Sequence, residues 1–473
     1  MGRFISVAVL VASLTLPALS TEISNPARKA AYISGAVHNG IMDAKHQFWD
    51  EQAASGAFDS ARFSAIEDFT PCVDGFAGEF RCNNIDLYSF YTHAELGSTV
   101  GQGSSSWGWV HEGREFIIIA QADGAAIAEV TQEGKLDYLG RLPKTPEAAN
   151  AIWRELRVLD HYLVVGSEAV NHHVQIFDLL KVLDITPEEK PKTFNPATDL
   201  TALWTGLPIG RTHNIVINWD LGYIIAVGSQ PRTSEFRSGL VFIDISNVTN
   251  PTLAGFEASA GYVHDAQCLL YKGPDVRYLG NDICYGYNED RLVIYNVTDR
   301  ANARVISQTS YEGAAYTHQG WVLDTEDQRF LILDDELDER NGRRARCRRP
   351  RGDLHLGYLR PREPKQTGFY KSVDRTVDHN QYVHEGKAYQ SNYGNGLRVL
   401  DISSIPSDPT GSGVQEIGFF DIYPEDDNQP SNGSLQFVGT WSSYPYLPSG
   451  FIIINTIERG AYVVKLKEVT IQV

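Results

Sequence analysis

Three kinds of catalytic signature are missing from this 473-residue chain: a Gly-rich phosphate loop, a G-x-S-x-G elbow and an H-E-x-x-H motif. Phosphoryl transfer, serine-type acyl transfer and zinc-protease chemistry therefore lack their usual sequence support. Positive charge is scarce as well. Forty-one Lys and Arg face 59 Asp and Glu, a net charge of −18, which argues against nucleic acid or an anionic membrane surface as a partner. Beyond the first twenty residues, no apolar run is long enough to span a bilayer. Cysteine is limited to five positions.

What is present begins with the ends and the cysteines. Residues 1–20, MGRFISVAVLVASLTLPALS, join Arg3 to an apolar run and a small-residue end, the pattern of a secretory signal peptide. The expectation is a secreted, extracellular protein with no membrane span. Sequons at Asn247, Asn296 and Asn432 agree with it. In an oxidising compartment cysteines pair. Cys72 and Cys82 flank a short loop, Cys268 and Cys284 fall on two neighbouring strands, and Cys347 is left over. Residues 21–70 are Ala-rich and predict a helical N-terminal extension with two helices. Its role stays open between a flap over one face of the fold and a folding appendage.

The remainder, 71–473, is repetitive. Arg211–Ser259 reads as four short strands separated by Gly, Pro, Asn or Asp: HNIVINW, YIIAVGS, GLVFIDIS and PTLAGFE. Four antiparallel strands in about fifty residues make one propeller blade, and blades come in multiples. A polar-aromatic blade start recurs at Trp107, Trp153, His213, His264, His318, His379 and Trp441. A third-strand signature recurs in phase: HVQIFDL, GLVFIDIS, RLVIYNVTD, GLRVLDIS and a weaker GAYVVKL. Seven starts predict an all-β, seven-bladed β-propeller with a short helical N-terminal extension. The last blade lacks a fourth strand, and IDLYSFYTHAELG (85–97) is expected to pair there and close the ring.

One stretch breaks the pattern. Residues 340–363 hold nine arginines where the fifth blade needs its third strand. This is either a basic surface loop or a reading-frame error over about 343–362. One set of codons for Asp353–Arg362, read one base later, yields Thr-Ser-Thr-Trp-Asp-Ile-Ser-Asp-Leu, the missing kind of strand. A shift of that kind would also account for Cys347.

Together CVDGFAGEFRCNNIDLYSF (72–90), SSWGWV, IWRELRV, VGSEAVNHHVQIFDL, THNIVIN, YVHDAQCLLYKGPD, YTHQGWVLDTEDQRFLILDDELDE and VDHNQYV resemble the choice-of-anchor B family, secreted propellers related to LVIVD-repeat proteins. The resemblance covers about 70–473. It implies the propeller but no established activity. Bacterial members often end in a surface anchor, which is not seen here.

First strands of blades line the central channel. His213, His264, His318 and His379 therefore converge, and such a ring of imidazoles could hold one divalent transition metal, with Asn214, Asp265, Gln319 and Asn380 supporting it. The competing reading has the histidines bonding backbone between blades. Asp334, Asp335, Glu336, Asp338 and Glu339 read as a solvated acidic turn rather than a calcium site. Glu155 beside Arg154, together with Glu168, reads as structural ion pairing, and His172-His173 as a surface strand start. Three function classes follow. The first is an extracellular, monomeric propeller binding an unknown ligand or protein. The second is a metal-dependent hydrolase or oxidase at the channel mouth. The third, a matrix protein, lacks a sticky patch.

Overall fold

The computed structural model describes residues 26–341, 354–374, 376–428 and 434–467. Residues 1–20, Cys347 and Asn432 lie outside them. The architecture is all-β with two N-terminal helices, Pro26–Ile33 and Ala36–Ala54.

Among the described residues the strands form seven sheets. The third is typical: Asn214–Asn218, Tyr223–Val227, Leu240–Asp244 and Thr252–Glu257, antiparallel in chain order. Its first two strands are wholly buried, whereas the fourth is half exposed. The same gradient follows from composition, since β-branched and aromatic residues fill inner strands between neighbouring sheets. Ile215, Ile217 and Ile224 of this sheet pack with Val164 and Ile176 of the second. Each innermost strand packs against the next, and that of the seventh sheet packs against that of the first.

The seventh sheet is built from both ends of the chain. Thr440–Tyr444, Phe451–Thr456 and Gly460–Leu466 are completed by Ile85–Thr92, running from Ile85 opposite Leu466 to Thr92 opposite Gly460. The expected pairing is thus present. In this pairing the register slips once, between Leu87 and Ser89. A slip at the corresponding third-to-fourth-strand pairing occurs in the first, third, fourth, fifth and sixth sheets. Such bulges sharpen strand twist, and Ile85–Thr92 carries the same one, so it behaves as a true fourth strand.

The fifth sheet does have a third strand. Leu354–Tyr358 pairs with Phe330–Asp335 and Lys365–Tyr370, so the residues as they stand supply the strand that appeared to be missing. Residues 342–353 lie outside the described residues.

Both expected disulfides form. Cys268 lies directly opposite Cys284 in the paired first and second strands of the fourth sheet, with Cα atoms 4.0 Å apart. Cys72–Cys82 closes a hairpin, Phe76–Ala77 and Phe80–Asn83, that extends the outer edge of the sixth sheet. No helix among the described residues is long and apolar enough to cross a membrane.

Candidate functional site

Four histidines come together at one mouth of the channel. His213, His264 and His318 stand immediately before or at the start of successive inner strands, with His379 next. Ring centroids lie 4.1 Å apart for His213 and His264, 4.2 Å for His264 and His318, and 4.5 Å for His318 and His379. Trp153 and Trp441 continue the ring, Trp441 being 4.9 Å from His379.

Three of the four imidazoles are held by their Nδ1 side. His264 Nδ1 meets the His318 carbonyl at 2.9 Å, and His379 Nδ1 meets the Trp441 carbonyl at 2.7 Å. These are the backbone bonds between neighbouring sheets that the structural reading of the histidines expects. His213 Nδ1 instead contacts the Glu168 carboxylate, which also takes Arg211 at 2.7 Å. Burial would raise Glu168, but His213 and Arg211 bring it down to about 2. Burial drives His264 and His318 well below the usual imidazole range and His379 to about 3. Neutral rings bonded through Nδ1–H to carbonyls leave Nε2 with a free lone pair.

Glu336 completes the cluster. One ligand atom each from His318, Glu336 and His379 lie within 4.8 Å of one another. Asp334, Asp335 and Glu336 do not form a solvated turn: they are at most 1% exposed. Asp335 accepts from the Ala315 and Tyr316 amides at 2.7 and 2.8 Å, and Asp334 from Gln319 at 2.7 Å. Buried carboxylates persist where donors of this kind meet them.

The N-terminal helices pack against this mouth. Ala36–Ala54 lies over the histidines. His38 Nδ1 contacts the Tyr316 hydroxyl at 2.8 Å, and its ring lies 6.3 Å from that of His213. Lys45 binds the Glu336 carboxylate and donates to the Tyr393 hydroxyl at 3.2 Å, with its ammonium 4.7 Å from the Phe437 ring. Trp49 donates to the Phe437 carbonyl at 2.8 Å and packs 5.0 Å from Trp153. The first helix is fastened through Arg28 and Tyr32 to the Ala314 and Ala315 carbonyls.

Trp107 does not belong at this mouth. Its strand starts at Gly103, so Trp107 sits four residues in and faces the opposite end. There it stacks on Trp219, 5.6 Å apart and 10° from parallel, beneath Arg157 at 4.5 Å. Trp107, Trp109, Trp219, Trp321, Tyr444 and Tyr446 line a concavity of about 450 Å³ at this second mouth.

Other expected pairs are rearranged. Glu155 bonds Arg157, whereas Arg154 donates to the Gln121 carbonyl and meets His172 Nε2. His172 is fully buried rather than on the surface. Asn247 is exposed in a turn, whereas Asn296 is 5% exposed and its Oδ1 accepts from Thr298.

Residues 235–256, spanning the third and fourth strands of the third sheet, match the LVIVD repeat. No curated relative matches the chain significantly. Similar solved structures include the C-terminal WD40 domain of Sif2, with 10% identity, 78% of this chain and 97% of that one covered, and a TM-score of 0.47. The Cps50 (Swd1) β-propeller domain of Myceliophteria thermophila is another, with 10% identity, 77% and 100% covered, and a TM-score of 0.45. The repeat match and the seven serial sheets together describe a repeat β-propeller.

Proposed function

We propose that the chain is a secreted, monomeric, seven-bladed propeller of the choice-of-anchor B type that binds an extracellular ligand or partner at the aromatic mouth of its channel. The observation that carries this reading is the inequality of the two mouths. One is covered by the helix Ala36–Ala54, while the other holds the concavity of about 450 Å³ between Trp107, Trp219, Trp321 and Tyr446. That volume and lining suit a small-molecule site. The seven sheets support the blade count, and the two disulfides and exposed Asn247 are in keeping with an extracellular setting. Saturation-transfer NMR against aromatic and sugar fragments tests the reading. Hits that vanish in Trp219→Ala and Trp321→Ala, with melting unchanged, support it. An absence of hits, or hits indifferent to both substitutions, overturns it.

A second reading, a metal-dependent hydrolase or oxidase, draws on His318, Glu336 and His379. Two imidazoles and a carboxylate within 4.8 Å are a donor set for zinc or iron, and the carbonyl held by His379 Nδ1 is the usual outer support of such a ligand. His213 and His264 extend the row. Elemental mass spectrometry on protein purified without chelator decides it. Near-stoichiometric metal that is lost in His379→Ala supports a metal centre. Metal-free protein of normal stability leaves the four histidines as links between blades.

A further inference from the structure

A third polar cluster lies where the outer strand of the sixth sheet, Gln415–Phe420, runs into the loop toward the seventh. Asp421, Asp426 and Asp427 each bring an oxygen within 4.8 Å of the others. Asp421 and Asp426 are 1% and 3% exposed. Three carboxylates gathered out of water repel one another and lose hydration, so the fold must return that energy elsewhere.

The protein groups around them return little of it. Oδ1 of Asp421 accepts from the Tyr423 amide at 3.0 Å. Among the described residues, Oδ2 of Asp421 and both oxygens of Asp426 lack a hydrogen bond of normal geometry, the Ser434 amide lying near Asp426. Arg81 reaches Asp427 only at 3.5 Å. Arg398, a second cation of this sheet, is engaged by Asp374 at 3.0 Å and Glu416 at 3.2 Å. Two other buried carboxylates are well satisfied by comparison: Asp335 takes the Ala315 and Tyr316 amides and the Tyr311 hydroxyl, and Glu168 takes His213 and Arg211. Asp426 differs from these two in being buried against two acidic neighbours with neither oxygen so matched.

We infer that Asp421, Asp426 and Asp427 bind a calcium ion that ties the loop after the sixth sheet to the body of the fold. All three donors are oxygens, with no thiolate or imidazole among them, which selects a hard cation. Two oxygens on one calcium at about 2.4 Å lie at most about 4.8 Å apart, and one oxygen of each of the three aspartates lies within that reach of the others. Magnesium, at about 2.1 Å and demanding a near-octahedral shell, holds its ligands closer and keeps more water. The divalent charge offsets the mutual repulsion that Arg81 leaves largely uncompensated.

The test uses the full chain stripped with EGTA and titrated with calcium chloride, read by calorimetry and by thermal melting. The expected result is one calcium per chain, a melting temperature that rises on addition, and affinity weakened at least about tenfold in Asp426→Asn and in Asp427→Asn. Magnesium chloride at equal concentration should act more weakly. Asp427 is partly exposed, so its substitution keeps the test open if Asp426→Asn fails to fold. No heat and no change in melting up to millimolar calcium overturns the inference. Calcium binding of wild-type strength in the folded variants also overturns it, because the ion then lies elsewhere.

Discussion

Lys45 and Glu336, 291 residues apart in the chain, form a buried ion pair that joins the N-terminal helix to the histidine mouth. Burial pulls Lys45 down and Glu336 up, but Lys45 holds Glu336 at about 2, so the carboxylate is ionised. Lys45→Met leaves that charge uncompensated and should cost about 3–5 kcal/mol. The double variant Lys45→Met, Glu336→Gln should recover most of the loss, since no charge then remains to be matched. Urea denaturation of the three proteins checks both statements.

One buried amide reaches three carbonyls across the seam between the seventh and first sheets. Asn455 Nδ2 lies 3.0 Å from the Ser104 carbonyl, 3.2 Å from that of Ser105 and 3.0 Å from that of Ala120. Asn455→Asp sets an acceptor against three acceptors and should cost about 3 kcal/mol or more. Asn455→Ala, which removes the donor without adding repulsion, should cost less. Thermal melts of the pair distinguish the two effects.

His93, fully buried with Nε2 2.9 Å from the Thr456 carbonyl, predicts an acid-sensitive step. Burial lowers it to about 4 from an ordinary 6.5. Above pH 6.5 it is neutral folded and unfolded. As pH falls toward 4 the unfolded chain takes the proton first, and stability is lost through that window. The full loss is about 3 kcal/mol. In His93→Gln the stability-against-pH curve should be flatter by that amount between pH 6.5 and 4.

The Cys268–Cys284 bridge spans 16 residues. Replacing both by serine should cost about 3 kcal/mol on the loop-entropy estimate. The strands stay in register through their backbone ladder. Denaturant unfolding with and without reductant checks it, because the double variant should no longer respond to reduction at that site.

Much of this was legible in the residues. The histidine row follows from repeat phase alone, and Cys268 meets Cys284 because the strand register brings them opposite. The repeat pattern misplaces Trp107 because the small residues Ser104, Ser105 and Ser106 carry the inner layer of the first sheet, where other sheets use histidine or tryptophan. The acidic run after RFLIL reads as solvated only until the amides of Ala315 and Tyr316 are found against Asp335. Glu168 was seen, but its bond to His213 crosses between sheets and leaves no local trace. The helix did carry a signal: His38, Ile41, Lys45 and Trp49 share one face. A buried face that includes histidine and lysine asks for a polar partner, and the channel mouth provides it.

Because the seventh sheet borrows its outer strand from residues 85–92, the order of synthesis runs against the order of assembly. That strand leaves the ribosome early and waits, edge unpaired, until Gly460–Leu466 has been made. Its apolar side chains Ile85, Leu87 and Phe90, all buried in the fold, lack that final partner until then. The two ends act as a clasp, so shortening the chain by its last strand would open the whole ring rather than trim one edge.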